Sequence, residues 1–355
     1  MTDRTIRLAP HTDDENPLST SLFDLDASDS PPPILPDGED WTERRGVIEG
    51  VWRDYIGRLD EPGSGEITVR EKTQGPDETF ERWLVHLDGG AIGLVPAEIL
   101  VPQGISEPRA AVIACHSTKP DGKTSVTHHG EGSRPYGVEL AERGYVVIAP
   151  DCLTAGERIY PGLKSYHTAP FYQDHPDSSM MARNLTDHMT AVNTLGSLPF
   201  VDDQRIGVIG HSLGGYNAFF LGGLDDRVKA VVNSCGFSPL RRNAKALQWG
   251  ERDWYTHLPR LTEEFARLRV PFDFNQIVAL VAPTPIFNYF GQVDRIFPNW
   301  APIAEGLQSV RELYVHLGHE DRFTMLMGGG SHDFPTEIRQ LSYDFLDRWL
   351  AGPLS

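Results

Sequence analysis

Hydrophobic residues occur along the chain in short continuous runs that alternate with segments of helical spacing. The runs typical of buried strands are residues 110–115, 145–149, 206–209, 228–233, 285–290 and 323–327. Helical spacing is found at residues 136–143, 180–198, 216–221, 302–317 and 336–350. Continuous apolar strands that alternate with helices are typical of a mostly parallel sheet with helices on both faces. The pattern therefore predicts an α/β fold with a doubly wound sheet, whose site lies beyond the carboxyl ends of the strands.

The part of the chain before this alternation has a different pattern. Residues 1–40 are polar and acidic and lack periodicity, which predicts a flexible N-terminal arm before a large α/β domain over residues 41–351. Asp40 stands at an N-cap position, and an apolar face that includes Trp52 predicts a helix after it. Residues 67–101 read as extended segments separated by Gly and Pro, which predicts an antiparallel edge of the sheet.

Two stretches, residues 153–179 and 236–283, interrupt the alternation. Each follows the carboxyl end of a predicted strand and is rich in aromatic residues. Connections at that edge lie over the ligand-binding side of the sheet, so both insertions are predicted to form a lid. The candidate substrate contacts in these insertions are Tyr160, Phe237, Trp254 and Tyr255. The alternative for each of these aromatic residues is packing against the body of the domain.

The charge of the chain narrows the choice of partners. The formal net charge is −18, and residues 1–40 hold ten acidic residues against Arg4 and Arg7. Such a chain repels phosphate backbones, so nucleic acid is not expected as a partner, and highly anionic substrates are disfavoured unless a local basic pocket attracts them. No apolar run approaches the length of a membrane span, and the first ten residues lack a secretory signal, so a cytoplasmic location is expected. The acidic arm and the Trp52 helix are candidate contacts for a homo-oligomer.

Metal and disulfide chemistry have little support in the sequence. The three cysteines Cys115, Cys152 and Cys235 are scattered, and each follows an apolar run at a predicted strand end, which predicts buried, reduced thiols. His128-His129 and His319-Glu320 lack the spacing of metal ligands. No metal site is therefore predicted.

The strongest chemical signal is Gly210-His211-Ser212-Leu213-Gly214, which matches the nucleophile-elbow pattern. The motif follows the predicted strand 206–209 and precedes helical spacing from residue 216. A turn this tight between strand and helix strains the backbone at the serine, and glycines on either side remove side chains that would clash. Ser212 is therefore the candidate nucleophile.

A serine hydroxyl needs a base to take its proton, and the base needs an acid that fixes its tautomer. Asp294 follows the predicted strand 285–290, and His332 lies in a glycine-rich loop between the last predicted strand and the last helix. Both stand in the expected chain order after Ser212, so the prediction is a Ser212, Asp294 and His332 triad. The rival candidates for the acid are Asp333, Glu320 and Asp321.

The oxyanion that forms during acyl transfer needs two backbone N–H donors. One is expected from Leu213, directly after the nucleophile, and the other from the loop after strand 110–115. In that loop, which reads His116-Ser117-Thr118-Lys119, Thr118 is the chosen donor and Ser117 is the alternative.

With these motifs in place, residues 41–351 resemble the dienelactone-hydrolase and acetyl-xylan-esterase-like branch of the α/β-hydrolase superfamily. The segments that carry the resemblance are residues 136–145, 149–151, 156–158, 210–215, 234–237 and 282–285. The resemblance implies hydrolysis of small or medium carboxylic esters, acetyl esters among them, through an acyl-serine and without a cofactor. Two positions differ: dienelactone hydrolases proper have a cysteine nucleophile where Ser212 stands, and many relatives have His-Gly where this chain has His116-Ser117.

Three other functions fit parts of the sequence. A prolyl-oligopeptidase-like serine peptidase or amidase shares the chain order of the triad, although no propeller repeats precede the domain here. A non-catalytic scaffold could retain the same fold. Residues 117–124 end in Gly-Lys-Thr like a phosphate-binding loop, but Ser117 replaces its first glycine and Pro120 removes a backbone donor.

Overall fold

The computed structural model describes residues 33–243, 245–267 and 270–351. A single nine-stranded sheet forms its centre. The strands are β1 (Ile67–Thr73), β2 (Phe80–Asp88), β3 (Leu94–Pro102), β4 (Arg109–Cys115), β5 (Val146–Pro150), β6 (Val201–His211), β7 (Val228–Ser234), β8 (Ile286–Gly291) and β9 (Phe323–Gly328).

The sheet has the order β1-β2-β3-β5-β4-β6-β7-β8-β9. The pairs β1/β2, β2/β3 and β3/β5 are antiparallel, and every pair from β5/β4 to β8/β9 is parallel. The predicted antiparallel edge and mostly parallel sheet are confirmed. The carboxyl ends of β4, β6, β8 and β9 therefore meet at one edge, which brings together loops that are distant in the sequence.

Helices cover both faces of this sheet. They are α1 (Trp41–Ile56), α2 (Thr124–Thr127), α3 (Tyr136–Glu142), α4 (Ala169–Asp174), α5 (Met180–Ser197), α6 (Leu213–Leu224), α7 (Pro259–Arg267), α8 (Phe274–Ala279), α9 (Trp300–His316) and α10 (Thr336–Leu346), which continues into a π-helical turn, Asp347–Ala351. Buried residues of α1, α5, α6, α8 and α9 share one apolar core, and those of α3 and α10 share the other. The α/β, doubly wound class is confirmed.

Strand β4 shows how the hydrophobic pattern produces two cores. Its residues 111, 113 and 115 belong to the core on the α6 side, whereas residues 110, 112 and 114 belong to the core on the α10 side. Side chains alternate between the faces of a strand, so a strand covered on both faces must be apolar at every position. This burial explains the continuous run that the sequence shows, and it fixes the position of the loop after Cys115.

The N-terminal helix begins at the predicted N-cap. The Asp40 carboxylate accepts hydrogen bonds from the N–H groups of Thr42 (2.8 Å) and Glu43 (3.2 Å), which satisfies two orphan donors of α1. Trp52 is fully buried against aromatic rings that include Phe220 at 4.8 Å, so its side chain anchors α1 on the core, and the role of this helix as an oligomer contact stays a prediction.

Most of the predicted arm, residues 1–40, lies outside the described part of the chain, which begins at residue 33. Ile34 is buried against the body, and its carbonyl accepts a hydrogen bond from Arg44. Ile34 therefore packs against the body, and the boundary of the arm at residue 40 stays a prediction.

The two predicted lid insertions differ in where they lie. Part of the 236–283 insertion packs into the body, because α8 is buried throughout and belongs to the core shared with α6 and α9. Trp249 and Trp254, from the same insertion, stand beside the Ser212 loop. The 153–179 insertion contacts the 236–283 insertion through Tyr166, whose ring centre lies 6.3 Å from that of Trp254. No helix among the described residues is both long enough and apolar enough to cross a membrane.

Candidate active site

Ser212 occupies a strained turn between β6 and α6. Its φ is 58° and its ψ −117°, a left-handed conformation that is unusual for a residue other than glycine. The Ser212 N–H donates to the carbonyl of Ser234 (2.8 Å), which holds the turn against β7. A Cβ atom at Gly210 would overlap the carbonyl of Gly214, and one at Gly214 would overlap the carbonyl of Cys115. Both glycines of the motif are therefore required by close backbone approach, as the sequence predicted.

The loops after β8 and β9 bring an acid and a base to this turn. His332 Nε2 lies 2.8 Å from Ser212 Oγ, and His332 Nδ1 lies 2.6 Å from Asp294 Oδ2. Asp294 and His332 have side-chain exposures of 2% and 18%, so water has little access to the bond between them. The structure thus places the three predicted side chains in one hydrogen-bonded chain. A carboxylate beside Nδ1 favours the tautomer with its proton on Nδ1, which leaves Nε2 free to accept the serine proton.

The Asp294 carboxylate is held in place by the backbone of its own loop. Its Oδ1 accepts hydrogen bonds from the N–H groups of Ile296 (2.7 Å) and Phe297 (2.9 Å), while Oδ2 faces the histidine. The orientation of Asp294 is therefore set before any substrate binds.

The three rival candidates for the acid form ion pairs with arginines. Asp333 forms an ion pair with Arg134 (2.7 Å) and also accepts the N–H of Phe334. Glu320 and Asp321 form ion pairs with arginines at the surface. Among the described residues, none of these three carboxylates contacts the His332 ring.

Two further side chains, those of His211 and Cys235, lie beside the triad. The His211 ring packs 4.9 Å from that of His332, and burial, followed by the nearby charge of His332, holds the pKa of His211 well below its usual value. A neutral His211 does not compete with His332 for a proton at neutral pH. The ligand atoms of Cys235, Asp294 and His332 lie within 4.8 Å of one another, a spacing that could suit a metal ion. The Cys235 thiol donates to the Asp333 carbonyl (3.5 Å), and both ring nitrogens of His332 already have partners, so this donor set fits the hydrogen-bonded chain better than a metal.

The loop after β4 supplies the opposite side of the site. The Ser117 carbonyl accepts from His116 Nδ1 (2.7 Å), the Lys119 N–H (2.7 Å) and the Tyr166 hydroxyl (3.1 Å). His116 Nε2 accepts the N–H of Cys152 (3.0 Å), which assigns the ring proton to Nδ1. Three donors therefore hold one carbonyl of this loop.

The orientation of that carbonyl determines the direction of the next N–H. In a trans peptide the C=O and N–H groups point in opposite directions, so donors on the Ser117 oxygen direct the Thr118 N–H away from them. Ser117 and Thr118 both line the cavity that contains Ser212. Leu213 is the first residue of α6, and its N–H has no acceptor within the helix. The assignment of the Thr118 and Leu213 N–H groups as the oxyanion donors stays a prediction.

A cavity of about 570 Å³ opens beside Ser212. Its wall includes Trp254, one of the four predicted substrate contacts. It also includes residues that the sequence analysis did not select, namely Lys119, Arg134, Tyr216, Lys245, Gln248, Trp249, Arg252, His257, Ile296 and Phe297. Most of them come from the 236–283 insertion and the loop after Asp294. These residues share no pattern in the sequence that separates them from residues that the structure places elsewhere.

The other three predicted substrate contacts lie outside this cavity. Tyr255 is fully buried behind it, where its hydroxyl accepts a hydrogen bond from Asn184 (3.3 Å). Phe237 is buried against Gly306 of α9. Tyr160 lines a separate cavity of about 320 Å³ with Phe171 and other residues of the first insertion. Tyr255 and Phe237 therefore pack within the body, as the alternative described, and Tyr160 lines a cavity that does not include Ser212.

The phosphate-loop alternative is disfavoured by the position of its lysine. Lys123 has a side-chain exposure of 3%, and its Nζ lies 2.7 Å from both Asp151 Oδ2 and Glu157 Oε1. The Asp151 carboxylate also accepts the Lys123 N–H (2.8 Å). A buried lysine held by two carboxylates is not available to a phosphate, so the segment serves an internal ion pair.

Comparison with known proteins finds several relatives of this chain. Residues 133–252 match the model of the dienelactone hydrolase family. The chain is 25% identical over 293 residues to YtaP of Bacillus subtilis, a protein named as a hydrolase, and the match covers 80% of this chain and 91% of YtaP. It is 33% identical over 88 residues to dipeptidyl-peptidase 5 of Porphyromonas gingivalis, a match that covers 25% of this chain and 11% of that protein.

A similar fold is also found among solved structures. One is a Bacteroides fragilis protein named as an acetyl xylan esterase, with a TM-score of 0.63 and 17% identity over 84% of this chain and 79% of that one. At this identity the likeness concerns the fold.

Proposed function

We propose that this chain, which belongs to the α/β-hydrolase superfamily, is a serine carboxylic-ester hydrolase that forms an acyl-serine at Ser212. The observation that carries the proposal is the hydrogen-bonded chain from Asp294 Oδ2 through His332 to Ser212 Oγ, at 2.6 and 2.8 Å, on a strained turn. This arrangement supports acyl transfer because each group has the partner that the chemistry needs. Small or medium esters, acetyl esters among them, are the proposed substrates.

In the first half of the reaction, His332 Nε2 takes the Ser212 proton as Oγ attacks the ester carbonyl carbon. The negative charge develops on the carbonyl oxygen, where the N–H groups of Leu213 and Thr118 stabilise it. Asp294 stabilises the imidazolium that forms. Nε2 then gives its proton to the departing alcohol, which leaves the acyl group on Ser212.

In the second half, a water molecule takes the place of the alcohol. His332 accepts a proton from this water as its oxygen attacks the acyl-serine, and the same oxyanion donors stabilise the second tetrahedral species. Return of the proton to Oγ releases the carboxylic acid. Every proton in both halves passes through Nε2, so the mechanism needs no bound cofactor.

The second candidate is a peptidase or amidase, and the match to dipeptidyl-peptidase 5 favours it specifically. That match covers 25% of this chain. A share of this size can hold the turn that carries the nucleophile and still leave out the residues that would bind a peptide. An amide needs the same triad, so the triad geometry does not separate the two activities. Assays with an ester and an amide substrate separate them.

The test compares 4-nitrophenyl acetate with an aminoacyl 4-nitroanilide and includes labelling by a fluorophosphonate. We expect hydrolysis of the ester, at least about 100-fold slower hydrolysis of the anilide, and one phosphonyl group on Ser212 by peptide mass spectrometry. Preferential hydrolysis of the anilide would establish the peptidase instead. Native protein that neither hydrolyses activated esters nor reacts with the probe would be a scaffold.

Replacement of Tyr166 by phenylalanine is expected to lower kcat about tenfold with little change in KM. Its buried hydroxyl lies 3.1 Å from the Ser117 carbonyl and 2.9 Å from the Lys119 carbonyl, so its loss loosens the peptide that presents the Thr118 N–H. Loss of a whole oxyanion donor costs ~10²–10³ in rate, and a loosened donor should cost less. Steady-state kinetics and the affinity for a boronic acid, which resembles the tetrahedral species, measure the effect.

Tyr172→Phe is the matched control for this variant. Tyr172 lies in the same insertion, and its hydroxyl also bonds to backbone, at Thr256 (2.9 Å) and Met180 (3.1 Å), away from the Ser117 loop. We expect Tyr172→Phe to change thermal stability without weakening boronic acid binding. If both variants lose boronic acid affinity equally, Tyr166 has only a structural role.

A further inference from the structure

The cavity beside Ser212 has a charge opposite to that of the whole chain. The sequence has 50 acidic and 32 basic residues. Yet four cationic side chains line the cavity, those of Lys119, Arg134, Lys245 and Arg252, and no aspartate or glutamate is among its described lining residues. A cavity of one charge sign attracts ligands of the opposite sign.

Two of these four cations already have other contacts. Arg134 is neutralised by Asp333 at 2.7 Å. Lys245 is exposed, and its Nζ donates to the carbonyl of Arg295. Lys119 and Arg252 differ from Arg134, because within residues 33–243, 245–267 and 270–351 no carboxylate forms an ion pair with either side chain. Lys245 likewise has no carboxylate partner, but it is exposed, whereas Lys119 and Arg252 are half-buried, so water screens the charge of these two less.

Arg252 is held in place by neutral groups. Its Nε donates to the carbonyl of Tyr255 (2.9 Å), one Nη lies 3.3 Å from His257 Nδ1, and the guanidinium packs 4.6 Å from the centre of the Trp254 ring. Burial lowers the pKa of Arg252, which reflects the cost of a partly desolvated charge without an opposite charge beside it. The remaining N–H donors of the guanidinium, a fork that matches a carboxylate, are oriented by these contacts.

The rest of the cavity fits an organic ligand of moderate size. Trp249, Trp254 and Phe297 supply apolar surface, and the volume of about 570 Å³ lies within the range of small-molecule sites. The Tyr216 hydroxyl, 2.6 Å from His257 Nε2, adds a polar group that is linked through His257 to Arg252. Aromatic walls with two unneutralised cations suit a carbon skeleton that ends in an anion.

We propose that the substrates are esters that carry a free carboxylate, and that Arg252 and Lys119 bind this carboxylate while the ester lies at Ser212. The inference rests on the proposed esterase function and deepens it. The carboxylate can belong to the acyl part or to the alcohol part of the ester, and the experiment separates the two.

The experiment uses two pairs of esters in which a carboxylate is replaced by the neutral carboxamide of the same shape. 4-Acetoxybenzoate and 4-acetoxybenzamide carry the group on the alcohol side, and 4-nitrophenyl adipate and its terminal amide carry it on the acyl side. For at least one pair, kcat/KM at pH 7 and low salt is expected to be about tenfold or more higher for the carboxylate, the size expected of one charge-assisted hydrogen bond. The ratio should fall as salt is raised.

Variants assign the effect to the two side chains. Arg252→Gln and Lys119→Gln should each reduce the carboxylate-to-carboxamide ratio of the preferred pair by about tenfold. Arg252→Lys keeps the charge and should retain part of the ratio, so a folding defect in Arg252→Gln is distinguished from loss of the cation. Lys164→Gln is the control: Lys164 is exposed on the first insertion, away from the cavity lining, and its loss should leave the ratio unchanged.

The outcomes separate this inference from the proposed function. Ser212-dependent hydrolysis of the carboxamides with no preference for either carboxylate overturns the inference and leaves the esterase intact. A preference that survives in both Arg252→Gln and Lys119→Gln overturns the assignment of the residues. Hydrolysis of 4-nitrophenyl acetate with no reaction of any of the four esters also overturns the inference, and failure of all five esters to react at Ser212 overturns the esterase itself.

Discussion

Replacement of Ser212 by alanine is expected to lower kcat on 4-nitrophenyl acetate by about 10⁴- to 10⁶-fold, because the nucleophile of the acyl-serine pathway is lost. Among the described residues, the Ser212 hydroxyl hydrogen-bonds to one side chain, at His332 Nε2 (2.8 Å). Its removal leaves the backbone bond from Ser212 to Ser234 intact. Thermal unfolding should therefore change little while activity falls to the background rate.

The control for this change is a serine close to the triad. Ser234 is buried, and its hydroxyl bonds to His211 Nδ1 (3.0 Å) and not to the His332 ring. Ser234→Ala should cost less than about tenfold in kcat, because the chain from Asp294 to Ser212 remains. Retention of more than about one per cent of activity in Ser212→Ala, measured on protein freed of wild-type contamination by affinity tag, would refute the assignment of the nucleophile.

The second large effect is expected for Asp294→Asn, which should lower kcat by about 10⁴-fold with little change in KM. Asparagine keeps the shape of the side chain, but its amide offers a donor to a nitrogen that must itself donate. His332 would then carry its proton on Nε2, where it cannot accept the serine proton. Measurement of kcat and KM on 4-nitrophenyl acetate gives the loss, and circular dichroism checks the fold.

Asp333→Asn is the matched control, since Asp333 is the carboxylate next to His332 in sequence. Its side chain is 52% exposed and forms an ion pair with Arg134. An exposed pair of this kind contributes about 0–1 kcal/mol to stability, so kcat should fall less than about tenfold. A large loss of kcat in Asp333→Asn together with a small loss in Asp294→Asn would show that Asp333, and not Asp294, is the acid of the triad.

Much of the fold and of the candidate triad could be predicted from local sequence. Strand β4 is recognisable because burial on both faces demands an apolar side chain at every position. Ser212 is recognisable because the close approach of Gly210 and Gly214 to neighbouring backbone admits no Cβ. Asp294 and His332 follow strands whose carboxyl ends must meet at one edge once the sheet is parallel. In each case a requirement of the backbone is expressed within a few residues of the site.

The cavity walls could not be predicted in this way. Tyr255 and Trp254 are neighbours in sequence with the same aromatic character, yet one is fully buried and the other stands in the cavity wall. Lys123 and Lys119 lie in the same loop, but only Lys123 meets the carboxylates of Asp151 and Glu157.

The sequence by itself thus determined the class of fold, the strained nucleophile turn and the chain order of Ser212, Asp294 and His332, because these depend on local backbone geometry and on strand alternation. Only the tertiary structure decided which aromatic residues face the cavity and which cations keep their charge free, including Arg252. Those properties depend on how insertions without periodic pattern pack against the body, and on whether an opposite charge from a distant segment arrives within ion-pair distance.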